Sequence, residues 1–157
     1  MSQAAIDIKL PEGWEAVEKP LAGASLQAYE PPGPGFRSSL TVHAFVPAEV
    51  SDTPPEIDGL HAAQVTDMVN ALPSAHDLEN TETTVKGLRT KVSVVGFRQD
   101  EYTVLARIWT IQAFNGVIQV AGLCDAQRVT AVGPLINAAV ESLTINVDPD
   151  FVDPERP

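Results

Sequence analysis

The stretch YTVLARIWTIQAFNGVIQVAGLC, residues 102–124, decides the architecture. Two runs rich in β-branched and aromatic residues, 102–114 and 117–124, are joined by Asn115-Gly116. That dipeptide is a strong hairpin signal, because a two-residue type I′ turn needs positive φ at both central positions. Such a turn predicts that Phe114 pairs with Val117, Ala113 with Ile118, Ile111 with Val120 and Trp109 with Gly122, the indole covering a position without a side chain. Leu105, Trp109, Ile111, Ile118 and Val120 then share one face. The other face carries Val104, Ile108, Phe114, Val117 and Leu123 among polar residues, so both faces need a cover.

Working outward, residues 77–85 and 91–98 read as the preceding strands of the same meander. Residues 14–18, 25–30 and 39–45 read as three short strands bounded by Pro or Gly. Within 39–45, Leu40, Val42 and Ala44 alternate with Thr41, His43 and Phe45, which turns His43 away from the Leu40 face. Helical spacing takes over in residues 56–72, where Ile57, Leu60, Val65, Met68, Val69 and Leu72 form one stripe. Pro54 and Pro55 suit its entry, Glu56 and Asp58 complement its dipole, and Pro73 ends it. A second helix spans 126–142, with Val129, Val132, Leu135, Ile136, Ala139, Val140 and then Leu143 on one side and Asp125 as N-cap. Gly133-Pro134 within it predicts a kink or a late start. Residues 144–147 are either a last short strand or the start of the tail.

The order β-β-β-α-β-β-β-β-α predicts an α+β fold, an antiparallel meander flanked by helices. Residues 1–147 are expected to form one domain, and 148–157 an acidic, proline-rich, disordered tail.

Of the 157 residues, 44% are hydrophobic, enough for a core. Lys and Arg number 10 against 21 Asp and Glu, a formal charge of -11, which argues against nucleic acid as a partner. The apolar runs are far shorter than the ~20 residues that span a bilayer. Residues 1–10 show no signal-peptide pattern and no lipobox cysteine, so the expected location is the cytoplasm.

Catalytic chemistry has little support. His43, His61 and His76 are isolated, without the spacing that brings two imidazoles to one metal, so no metal site is expected. His61 follows Asp58 by three residues, within reach across one helical turn, and reads as a boundary histidine in an ordinary hydrogen bond. Cys124 reads as a small half-buried residue rather than a nucleophile with Asp125, since strand neighbours point apart. Asp100-Glu101 and the pair Glu79 and Glu82 fall in a turn and on an exposed strand, where solvation is their fate. Gly33-Pro34-Gly35 lacks the Lys-Ser or Lys-Thr and the helix of a phosphate loop, and reads as a turn. No cofactor is expected.

Arg107 is the anomaly, a charge between Leu105 and Trp109 on an apolar face. It either snorkels to solvent or meets a ligand. On the second reading Arg107 and Trp109 form a partner-binding patch, both types being enriched at interface centres. Arg98 joins them if the Asp100-Glu101 turn is two residues long.

The segments Leu10-Pro11-Glu12-Gly13-Trp14 and Phe36-Arg37-Ser38-Ser39-Leu40-Thr41-Val42, the Asn115-Gly116 hairpin and the closing Glu141-Ser142-Leu143 resemble the PsbP/Mog1-like superfamily. Among its groups the chain is most similar to the small bacterial DcrB and LpqN/LpqT-like proteins, over residues 8–147. The resemblance implies an α/β/α sandwich and a non-enzymatic binding, chaperone or assembly factor. Many LpqN-like proteins are exported lipoproteins, and this chain departs from them in residues 1–10. The expected function is a non-catalytic protein-binding or adaptor module, its partner a basic protein or a second copy of the chain. The alternative is a carrier of a small apolar ligand or lipid, in a pocket lined by Trp109, Ile111, Met68 and Leu135.

Overall fold

The computed structural model describes residues 4–20, 23–45, 56–113 and 116–147. Its strands are β1 (Ala4–Asp7), β2 (Glu15–Ala16), β3 (Leu26–Tyr29), β4 (Ser39–Phe45), β5 (His76–Val85), β6 (Leu88–Gln99), β7 (Tyr102–Gln112), β8 (Val117–Asp125) and β9 (Thr144–Val147). Helix α1 (Asp58–Ala71) lies between β4 and β5, and α2 (Val129–Glu141) between β8 and β9. Seven strands form one antiparallel sheet in the order β2-β3-β4-β8-β7-β6-β5, and β1 pairs with β9 apart from it. The predicted α+β meander with two helices is therefore the observed fold, with β1 added and 144–147 resolved as a strand.

The helices cover opposite faces. On one side Val132, Ile136, Ala139 and Val140 of α2 pack against Trp109, Ile111, Ile118 and Val120. On the other, Val65 of α1 with Met68 and Val69 packs against Val95 and Ile108. Adjacent residues Ile108 and Trp109 thus serve opposite cores, as the pleat requires.

The register differs from the predicted one by two residues. Ile111 pairs with Ile118, Trp109 with Val120 and Arg107 with Gly122. The cause is where the loop closes: the Ala113 N–H donates to the Gly116 carbonyl at 2.9 Å, so Gly116 stands opposite Ala113 instead of inside the turn. Phe114 and Asn115, and with them the expected turn and the Phe114 pairing, lie outside the described residues. A shift of two preserves every side chain's face, which is why the predicted faces stand. Ile136, not the indole of Trp109, covers Gly122: a Cβ built there would meet Ile136 Cγ2 at 2.5 Å.

Each helix turns one expected core leucine outward. Leu60 is 49% exposed and Leu135 46%. The buried stripe of α1 runs through His61 and Val65, with Met68, Val69 and Leu72 partly covered. That of α2 runs through Val132, Ile136, Ala139 and Val140. Both follow i, i+4, i+7, leaving Leu60 and Leu135 on the flanks.

The Glu56 carboxylate receives the N–H groups of Asp58 (2.5 Å) and Gly59 (3.2 Å) at the start of α1; Pro54 and Pro55 lie outside the described residues, as do 148–157. Asp125 caps the second helical region as expected, accepting from the Gln127 N–H at 2.9 Å. One turn of 3-10 helix, Ala126–Arg128, comes first, and Pro134 is accommodated inside α2. In place of a strand over 14–18 only Glu15 and Ala16 pair, while Trp14 is buried in the α2-side core.

Candidate functional site

β5 ends the large sheet. Its partner is β6 on one side, and no strand lies on its other side among the described residues. Nine of its ten residues are exposed, Val85 alone being buried. Asp77, Glu79 and Glu82 put three carboxylates on this edge, a common device against unwanted edge pairing. The register shifts between Asp77 and Glu79, a bulge that bends the strand's start.

Between α1 and β5 opens a cleft of about 440 Å³. Its floor is the buried pair His61 and Ser93; Asp58, Asp77, Glu82 and Lys91 stand among its walls. Most of these charges are occupied. Asp58 pairs with Arg89 at 2.8 Å and Lys91 at 3.3 Å, and Glu82 pairs with Arg89 at 2.8 Å. Asp58 therefore faces β6, not His61 as its spacing in the sequence allowed.

His61 makes two side-chain bonds to the sheet. Nδ1 lies 2.7 Å from Thr110 Oγ1 and Nε2 2.7 Å from Ser93 Oγ. The rest of the chain of bonds assigns their direction. Asn80 donates its amide hydrogens to both oxygens of Asp77, at 3.0 and 2.9 Å, so Asn80 Oδ1 is left to accept from the Ser93 hydroxyl, at 2.5 Å. With its one proton used, Ser93 Oγ accepts from His61 Nε2–H. A neutral ring then has Nδ1 as an acceptor, which takes the hydroxyl of Thr110. Gln119 Nε2 donates to the same Thr110 oxygen at 3.5 Å.

This polarity determines what the site can do. A histidine that activates a serine must accept its proton; here Nε2 donates to Ser93, and Ser93 donates away to Asn80. Burial is the main influence holding the imidazole below its ordinary value of 6.5, and Lys91 adds to it, while Asp77 and Asp58 act the other way. Among the described residues no three His, Cys, Asp or Glu side chains come together as metal ligands.

The residues singled out from sequence fall elsewhere. Arg107 and Trp109 lie on the α2 face and do meet, the guanidinium carbon 5.9 Å from the indole centroid. Trp109 is 5% exposed and belongs to the core cluster, while Arg107 is half-buried. The Asp100-Glu101 turn has two residues, since Gln99 pairs with Tyr102. Arg98 is nonetheless apart: it pairs with Thr103, four positions along β6 from Val94, the partner of Arg107, or roughly 13 Å at ~3.3 Å per residue. Its guanidinium donates to Thr103 Oγ1 at 2.7 Å.

The histidines off the cleft take bland places. His43 turns away from the Leu40 face as predicted, 3.2 Å from the Gly23 carbonyl. His76 is exposed at the start of β5. Burial raises the thiol of Cys124 above its usual range.

An ion pair unforeseen from sequence joins the end of β3 to the start of the second helical region. The Glu30 carboxylate accepts from both terminal nitrogens of Arg128, at 2.6 and 2.9 Å, and from the Ser38 N–H at 2.8 Å. The Arg128 hydrogen bond is the main cause of its lowered pKa, against the opposing effect of burial. Replacing Arg128 by methionine is expected to cost about 1–2 kcal/mol, less than a fully buried pair because the arginine is 44% exposed. With the folded pKa below the ordinary 4.5, this contribution is complete above pH 4.5 and fades as pH falls through the folded value. Urea titrations of both proteins at neutral and acid pH should show the gap between them closing; a constant gap would deny the pair this role.

Together these features define a class, an antiparallel sheet held between two helices with one long acidic edge that pairs with no further strand among the described residues. No protein-family model matches the chain, and no curated protein matches it significantly. Solved structures do. LpqN of Mycobacterium tuberculosis, described as involved in cell envelope biogenesis, matches with a TM-score of 0.65 at 13% identity, over 92% of this chain and 85% of its own. Cyanobacterial PsbP from Synechocystis sp. PCC 6803 matches with a TM-score of 0.60 at 15% identity, over 92% of each chain. PA94 of Pseudomonas aeruginosa, a protein of unknown function, matches with a TM-score of 0.57 at 12% identity, over 92% and 83%. The chain shares the fold of LpqN and of cyanobacterial PsbP.

Proposed function

We propose that the protein is a non-catalytic binding module that takes an extended basic segment of a partner protein along the free edge of β5. The observation that carries this reading is the edge itself: ten residues long, exposed, bearing Asp77, Glu79 and Glu82, on a chain of net charge -11. An added strand would gain main-chain hydrogen bonds from the open side of β5, and the carboxylates would favour lysine or arginine at alternate positions. The reversed Ser93–His61 polarity and the commitment of both ring nitrogens support a binding rather than a catalytic role. The part in envelope biogenesis given for LpqN is in keeping with an assembly factor.

The carrier reading loses its pocket. Met68 packs with α1 on one face of the sheet, Trp109 and Ile111 with α2 on the other, and Leu135 faces solvent. These four residues line no common space.

A peptide alternating lysine and valine serves as the probe. Expected are amide shifts confined to β5 and the neighbouring wall of α1, affinity that falls as salt rises, and a loss of about tenfold or more in Glu79→Lys. Shifts elsewhere, or affinity indifferent to salt and to Glu79→Lys, would refute it. A dimer joined through β5 in native mass spectrometry would put a second copy of the chain in the partner's place.

A further inference from the structure

Helix α1 is fastened to the sheet by few side chains, and its first half by His61 together with the fully buried N-cap residue Ile57. Of residues 58–64, His61 is buried, Gln64 is half-buried and the remainder are exposed. The ion pairs of Asp58 lie in solvent, where they hold weakly. The two bonds from the His61 ring, to Ser93 of β6 and Thr110 of β7, are therefore the polar attachment of this half-helix, beside the apolar anchor of Ile57.

Only the bond to Thr110 requires a neutral ring, since Nε2–H donates to Ser93 in either state. Once Nδ1 carries a proton it faces the hydroxyl of Thr110 as a second donor, and that hydroxyl must turn its own hydrogen into a fully buried site where it loses its acceptor. We infer that His61 is an acid-released latch: protonation of its ring breaks its bond to β7, loosens the first half of α1 and opens the cleft beside the β5 edge.

The charges around the ring set its sensitivity. Lys91 of β6 opposes the proton, while Asp58 of α1 and Asp77 of β5 favour it. Glu82 of β5 is bound to Arg89 of β6. The groups touching the ring from β6 and β7 are neutral hydroxyls, and Gln119 of β8 behind Thr110 is a neutral amide. The fastened ring titrates below 6.5, chiefly through burial, and a released ring returns to the ordinary value. The latch is thus at full strength above pH 6.5, and weakens as pH falls from there to the fastened ring's own pKa.

The latch stands on these hydrogen bonds alone; only its bearing on partner binding rests on the edge-strand reading. Hydrogen exchange on the full chain, corrected for intrinsic rates, should show protection in residues 58–64 falling up to about tenfold for each pH unit below 6.5. His61→Gln should remove that dependence. Nitrogen NMR of the unaltered protein provides a second measure, independent of how the variant folds. It should find the Nε2–H tautomer at neutral pH and a ring midpoint below 6.5, at which the loss of protection levels off. Protection unchanged through the ring's titration, an equal loss in His61→Gln, or a midpoint at or above 6.5 would each overturn the latch. If protection falls as described while the lysine-valine peptide binds equally well at both pH values, the latch holds and its control of the edge is refuted.

Discussion

Trp109→Ala is expected to lower the unfolding free energy by about 3–5 kcal/mol, the cost of removing a large aromatic from a packed core, while Arg107→Ala costs about 1 kcal/mol or less. The two residues touch, yet their surroundings differ. The indole is 5% exposed, opposite Val120 and within the cluster that α2 covers. Arg107 is half-buried, and what meets the indole is its guanidinium, 5.9 Å from the ring centroid. Urea unfolding of both variants would separate the roles. A Trp109→Ala protein as stable as the parent would mean that the indole faces a partner rather than the core.

Gly122→Ala carries the second large effect, about 2–3 kcal/mol, toward the upper end of what overpacking costs. The new Cβ would stand 2.5 Å from Ile136 Cγ2 and 3.3 Å from its Cδ1. A β-branched side chain in a helix has one strongly preferred rotamer, so Ile136 cannot swing aside and α2 must lift. Ile136→Ala alone leaves a cavity and costs about 2–5 kcal/mol. The double variant should cost clearly less than the two losses combined, because each change makes room for the other. Strict additivity in thermal or urea unfolding would place α2 away from Gly122.

What could be read from the sequence was what is written locally. Alternation in Leu40, Val42 and Ala44 and the composition of 102–124 were sufficient for the strands and their faces. Helical spacing yielded both helices, but a short stripe fits two neighbouring phases. Only Leu60 and Leu135 fell on the wrong side of that ambiguity: Ile57, Val65, Met68, Val69 and Leu72 are covered as expected, and His61 joins them. The spacing of His61, Val65, Met68 and Leu72 was the available signal. Hairpin register followed a dipeptide when the hydrogen bond that closes the loop lies at Ala113 and Gly116. Arg107 stood out as a charge on an apolar face, and the structure does place it on Trp109. The β5 edge was illegible for a different reason: a strand is an edge only by virtue of the order in which strands assemble, and nothing in residues 76–85 records it.

The pairing of β1 with β9 has a mechanical consequence. Ala4 lies opposite Val147 and Asp7 opposite Thr144, so tension applied through the two chain ends meets the ribbon at one extremity. Its bonds are then loaded in turn, as in a zipper, not all at once as in shear. Pulled by its ends, the molecule should part there first at low force, while the seven-stranded sheet behind it bears no load.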